Sequence, residues 1–243
     1  MRDGSDGMIE RRGMLGLIGG ALVSMLGGCR APSSASYKFR MTVEVETPQG
    51  LKSGSSVIEV RLARGMAIGD SSGVSSGVFG EAVVVDLPDG PLFVLLKMPD
   101  AGPPLQAVAP AALLGRRSNG PDGVMSDTAK LGSTWFGEYR AELPRTRDNG
   151  SQLSNNNWPM MVRFRNLNDP RSIEIVQPDV IGAKRILLET TKDNVTTGIE
   201  KWLPWLPNWH GSLSHRLEAP DPSNPPLSAQ VTDADFSTEV NRR

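Results

Sequence analysis

The chain holds 243 residues, with 26 basic and 27 acidic side chains and a formal net charge of −1. No basic run interrupts that balance, so the sequence carries no electrostatic footprint for nucleic acid. Its single cysteine excludes a disulfide within the chain, and a hydrophobic content of 38% is left to supply the core.

Residues 1–28 read as a targeting segment rather than as part of the fold. Arg11-Arg12 precedes an apolar stretch from Gly13 to Met25, which falls short of the roughly 20 residues a spanning helix needs. Asp3 and Asp6 weaken the basic character before it, so a start at Met8 competes with one at Met1. Leu26-Gly27-Gly28-Cys29 then resembles the lipobox of bacterial lipoproteins. The resemblance implies cleavage before Cys29 and a lipid on its sulfur. The competing reading, a buried helix ending in a core thiol, sits badly with four glycines in the stretch. Arg11-Arg12-Gly13-Met14-Leu15 also resembles a twin-arginine export motif, although Glu10 and Gly16 depart from it. Two acyl chains hold a protein stably at a bilayer where one does so marginally. Arg30 replaces the aspartate that retains enteric lipoproteins at the inner membrane. The expectation is a periplasm-facing protein on the outer rather than the inner membrane.

Residues 29–36 have tether composition. From Tyr37 to Glu46 apolar and polar residues alternate, the period of a half-buried strand. Thr47-Pro48-Gln49-Gly50 is turn chemistry, and Ser55 to Ala63 is a second strand. Leu51 to Gly54 between them predicts a long hairpin loop. The Gly/Ser-rich stretch 69–80 is expected to be a mobile loop. Glu81–Leu87 and Leu92–Lys97 are apolar runs joined by Pro88-Asp89-Gly90-Pro91, a hairpin signal. Their continuity predicts a central pair buried on both faces. Ala107–Leu114 predicts a short helix with Pro110 near its start, and 115–133 reads as a loop. Trp135–Leu143 is open between helix and strand, and 147–157 is loop-like. Trp158–Arg165, Ser172–Val176 and Arg185–Thr191 add strands, with a turn at Asn166–Pro170. Thr197-Gly198-Ile199-Glu200 matches a capping box before a short helix limited by Pro204. From Arg216 onward the composition predicts a disordered tail, 216–243.

Strands outnumber helices. The expected fold is mainly β: one antiparallel, sandwich-like domain over 37–215 with one or two short helices, or alternatively an α+β domain.

Few residues carry chemistry. Gly69-Asp70-Ser71-Ser72-Gly73 matches the nucleophile-elbow pattern, yet the glycines that follow oppose the helix this elbow requires. His210 and His215 alone make a poor metal set without a thiol. Glu81 and Asp86 are separated by roughly 16 Å of strand, too far for a glycosidase pair, and read as rim charges. No catalytic residue, metal ligand or cofactor is therefore assigned. The unusual segment is Trp202-Leu203-Pro204-Trp205-Leu206-Pro207-Asn208-Trp209. Trp202, Trp205 and Trp209 suit a flap over the sheet, a protein or glycan surface, or an interfacial membrane contact.

Gly80–Val83, Phe164–Pro170 and Val195–Leu206, with the Tyr37–Glu46 strand, resemble an uncharacterised family of proteobacterial predicted lipoproteins. The resemblance implies one unit over 37–206 and transfers no activity. The expected role is a lipid-anchored, non-catalytic interaction or structural module of the cell envelope. It would be held to the membrane by its N-terminal lipid and would work with an envelope protein partner. A hydrolase and a glycan-binding module stand as alternatives.

Overall fold

Alternation sets the longest element. Strands β1 (Ser34–Thr47) and β2 (Gly50–Arg64) pair antiparallel from Ser34 opposite Ala63 to Thr47 opposite Gly50. Tyr37, Phe39, Met41, Val43 and Val45 are buried, while the residues between them reach the other face. The structure is a computed structural model and describes residues 33–65, 73–99, 104–145, 158–214 and 224–240. The leader, Cys29, Ser71, the loop 147–157 and His215 lie outside the described residues.

The long hairpin loop is a correction. Only Pro48 and Gln49 turn the chain, and 51–54 continue β2. Pro48 suits the first corner, and Gly50 takes a φ of 103° that a side chain would resist. The Thr47 hydroxyl accepts from the Gln49 amide and donates to the Gly50 carbonyl. Ladder hydrogen bonds, not side-chain period, extend this end of the strand.

Two antiparallel sheets form the domain. The five-stranded sheet runs β3 (Val74–Phe79), β2, β1, β9 (Ala183–Thr190), β6 (Arg140–Glu142). The four-stranded sheet runs β4 (Val83–Val85), β5 (Leu92–Val94), β7 (Met161–Phe164), β8 (Ile173–Ile175). The fold is mainly β and sandwich-like. β3 corrects the expected loop: its weakly apolar sequence pairs with β2 through the backbone, and Arg61 lies 4.4 Å over the Phe79 ring.

The helices exceed one or two short ones. α1 (Leu105–Leu114) and α2 (Gly120–Ser133) are joined by single-turn helices α3 (Pro178–Ile181), α4 (Leu227–Gln230) and α5 (Asp233–Phe236). α2 occupies a stretch read as loop. Its signals are Pro121 and Asp122 in the first turn, Lys130 in the last, and Met125, Thr128 and Leu131 buried at helical spacing. Its glycines obscured them, and Gly132 has a packing reason: a Cβ there would stand 2.1 Å from the Ser36 carbonyl oxygen. Gly54 is equally constrained, 2.0 Å by the same measure from the Val84 oxygen where β2 passes β4. In α1, Pro110 lies inside the helix rather than at its start.

β5 separates two cores. Leu92 and Val94 join β1, β2, α1 and α2 in one, and Phe93 and Leu95 point into the other. The predicted two-sided burial therefore holds for β5 and for β4, whose Val83 and Val85 enter the first core while Val84 packs against the second, but β4 lies at the sheet edge rather than centrally. The second core is covered by residues 199–213 and by the described part of the tail, which is not disordered over 224–240. Val231 and Phe236 are fully buried, and Phe236 meets Phe93, Phe164 and Trp205 at 5.7–6.3 Å between ring centroids. β1 also begins at Ser34, inside the span assigned to the tether.

On the outer face of the five-stranded sheet, Arg185 pairs with Glu44 at 2.7 Å and Arg140 with Glu189 at 2.5 Å. At such exposure solvent screening leaves these pairs little net effect on stability. They specify a wet face more than they stabilise it.

Two core substitutions should act differently in thermal melts. Phe236→Ala should cost about 3–5 kcal/mol, because the rings around it lose their shared neighbour. The Tyr37 hydroxyl is buried without a hydrogen-bond partner among the described residues, and burial pushes its pKa up. Tyr37→Phe should therefore leave stability unchanged or raise it by about 1 kcal/mol.

Candidate functional site

Helix α1 crosses the inner face of the five-stranded sheet and touches β3, β9 and β6. Its sequence, Leu-Gln-Ala-Val-Ala-Pro-Ala-Ala-Leu-Leu, sends large residues inward and leaves small ones outside. Leu105, Val108 and Leu113 are buried, while Ala107 is exposed and Ala111 and Ala112 are half-buried. That shortage of bulk opens an apolar groove of about 1080 Å³. Leu62 and Val74 line it from the sheet, Ala107 and Ala111 from α1, and Pro121 and Val124 from α2. Pro110 also lines it, and its missing N–H leaves the Gln106 carbonyl without the usual helical donor.

The α1–α2 connection holds the groove's shape. Arg116 donates to both carboxylate oxygens of Asp127, at 2.9 and 2.6 Å, and the Ser118 hydroxyl donates to the same group at 2.7 Å. Burial pushes the Asp127 carboxyl up, but Arg116 and Ser118 outweigh it and hold the pKa below the usual range. Arg117 and Glu142 stand exposed at the groove, so its mouth carries both signs of charge. Sequence reading passed over this site, since alanines in a Pro-rich stretch carry no chemical signature.

The tryptophan segment covers the outer face of the four-stranded sheet. Leu203 and Leu206 are its deepest residues, and the three indoles are half-buried against the second core. Trp205 donates its indole N–H to the Leu167 carbonyl at 2.8 Å, and Trp209 donates to Ser212 at 3.0 Å. The Trp205 and Trp209 rings meet edge-on at 5.9 Å. Two of the three polar edges are thus spent within the fold.

Glu81 is not a rim charge. It is 2% exposed, and its carboxylate accepts from the Ile199 amide at 2.9 Å and the Ser237 hydroxyl at 3.3 Å. Asp86 is exposed, so the two carboxylates share no environment. The Glu81 contact also corrects the capping box. Gly198, at φ 116°, caps a 3-10 turn over Ile199–Lys201, and Glu81 rather than Thr197 serves its amide. Among the described residues, no three His, Cys, Asp or Glu side chains cluster as metal ligands, and His210 is exposed.

Comparison of the chain with protein-family models, with curated proteins and with solved structures finds no match in any of the three.

Burial raises the Glu81 pKa, opposed by the Ile199 and Gly198 amides. A carboxyl whose folded pKa exceeds its unfolded value contributes most below the unfolded value, about 4.3. That contribution fades as pH rises through the folded pKa. Glu81→Gln keeps an acceptor for Ile199 and cannot ionise. Denaturant melts across pH should show the wild type losing stability relative to Glu81→Gln as pH climbs above about 4.3.

Proposed function

We propose that this chain is a lipid-anchored, non-catalytic binding module of the bacterial cell envelope, and that the α1 groove takes an acyl chain. The lipobox-like end at Cys29 and the resemblance to proteobacterial lipoproteins support the anchor. The groove carries the binding half. Its volume of about 1080 Å³ is at the upper end of ordinary ligand sites. Its walls are aliphatic, with a few polar groups at the mouth.

Burying a chain there gains about 0.8 kcal/mol per methylene. Part of that gain offsets lost motional freedom. The mixed charges of Arg117 and Glu142 impose no single head group. A hydrolase reading has no support from the described residues that were candidates for it. Glu81 is committed to Ile199 and Ser237. A glycan platform would need open indole faces, and Trp202, Trp205 and Trp209 are half-buried against the second core.

Titration with a fluorescent polyunsaturated fatty acid tests the proposal. The protein should bind the probe, and Ala107→Phe, which fills the groove from an exposed position, should weaken binding at least about tenfold while the melting temperature holds. Equal binding by wild type and variant would remove the groove from consideration.

A further inference from the structure

Trp135 is 80% exposed and Phe136 55% exposed, side by side at the turn that follows α2. Single exposed apolar residues need no explanation, but an adjacent tryptophan and phenylalanine on a braced turn do. The bracing is specific. The Gly137 amide donates to the Thr190 carbonyl at 2.7 Å, and the Trp135 amide donates to the Glu138 carboxylate at 3.1 Å. The Thr190 hydroxyl donates to the Trp135 carbonyl at 3.3 Å. Gly137 takes a φ of 69°, which lets the chain reverse immediately after the pair. The rings are therefore displayed by a fixed backbone.

The location gives the exposure a use. Thr190 sits opposite Phe39 in the sheet, and Gly132 lies against Ser36, so the turn belongs to the end of the domain where β1 starts. Ser33 is already tied there, accepting from the Arg64 amide at 2.8 Å. Cys29 precedes Ser33 by four residues. Fully extended, four residues span about 14 Å. A lipid on Cys29 thus keeps Ser33, where β1 is about to start, within about 14 Å of the bilayer surface.

Charges of both signs surround the turn: the Glu138 carboxylate holds the Trp135 amide, Glu189 lies against Gly137, and two lysines approach as well. Lys130 lies 5.5 Å from the centre of the Tyr139 ring, and Lys192 donates to the Gly132 carbonyl. Neither forms an ion pair with a carboxylate among the described residues. Tryptophan and phenylalanine beside lysines make the combination that settles at a membrane interface, with rings among the head groups and ammonium groups near phosphates.

We propose that Trp135 and Phe136 insert into the interfacial region of the same membrane that holds the Cys29 lipid, giving the domain a second point of attachment. The inference rests on the anchored reading above. It fixes orientation: the β1 start and the α2 end face the bilayer, and the Pro48–Gln49 turn at the far end of the hairpin points away.

The test uses the full-length protein purified from bacterial membranes and placed in vesicles of phosphatidylethanolamine and phosphatidylglycerol. Acyl chains brominated near the head group quench indoles that enter the interface. The wild type should be quenched, and Trp135→Ser should lose that quenching while its four remaining tryptophans keep their emission. Phe136→Ser should reduce quenching by moving Trp135 outward. Intact mass measured on the same sample reads acylation independently. A lipid-bearing protein whose quenching is absent, or is unchanged by Trp135→Ser, overturns the interfacial contact alone. A chain without lipid overturns the anchor and this contact together.

Discussion

Strand β5 is apolar on both faces, and the rest of the fold answers that constraint. Leu92 and Val94 require one cover and Phe93 and Leu95 another, because a strand places successive side chains on opposite sides. The five-stranded sheet with α1 and α2 supplies the first. The second comes from residues 199–214 and 224–240, which hold little regular structure and reach the sheet through Leu203, Leu206, Val231 and Phe236. The C-terminal segment is thus part of the core although its composition is that of a tail. Below a few apolar anchors, Pro, Asp and Ser can make up a folded layer if backbone groups find partners.

Polar groups do that stitching at few points. Glu81 joins the β3–β4 crossing to the 3-10 turn at Ile199 and to Ser237 beyond α5. One buried carboxylate therefore holds three segments that are far apart in sequence. Asp127 performs the same service for α1 and α2 through Arg116 and Ser118. The two groups respond oppositely to their surroundings. Burial dominates at Glu81, and paired donors dominate at Asp127.

The features proposed to act on the outside of the protein come from what the core does not require. α1 spends its bulky residues inward, and the alanines left on its other side create the groove. The turn after α2 is fixed by Thr190 and Glu138, so Trp135 and Phe136 can stay largely exposed. In contrast, Trp202, Trp205 and Trp209 stood out in the sequence and are half-buried structural cover. A tryptophan's abundance in a segment says that it will bury area; it does not say against what.

The sequence by itself determined the elements whose period is unbroken: the alternation of β1, the two-faced apolar run of β5, the turn chemistry at Asn166–Pro170, and a mainly β class. Those follow from local geometry, since a strand's side-chain period needs only its own residues. Tertiary structure decided the rest. β3 is a strand because β2 offers a ladder, α2 keeps Gly132 because Ser36 lies beneath it, and Glu81 is buried because Ile199 and Ser237 arrive to meet it. In each case the deciding partner is distant along the chain, and a contact between distant residues leaves no period to read.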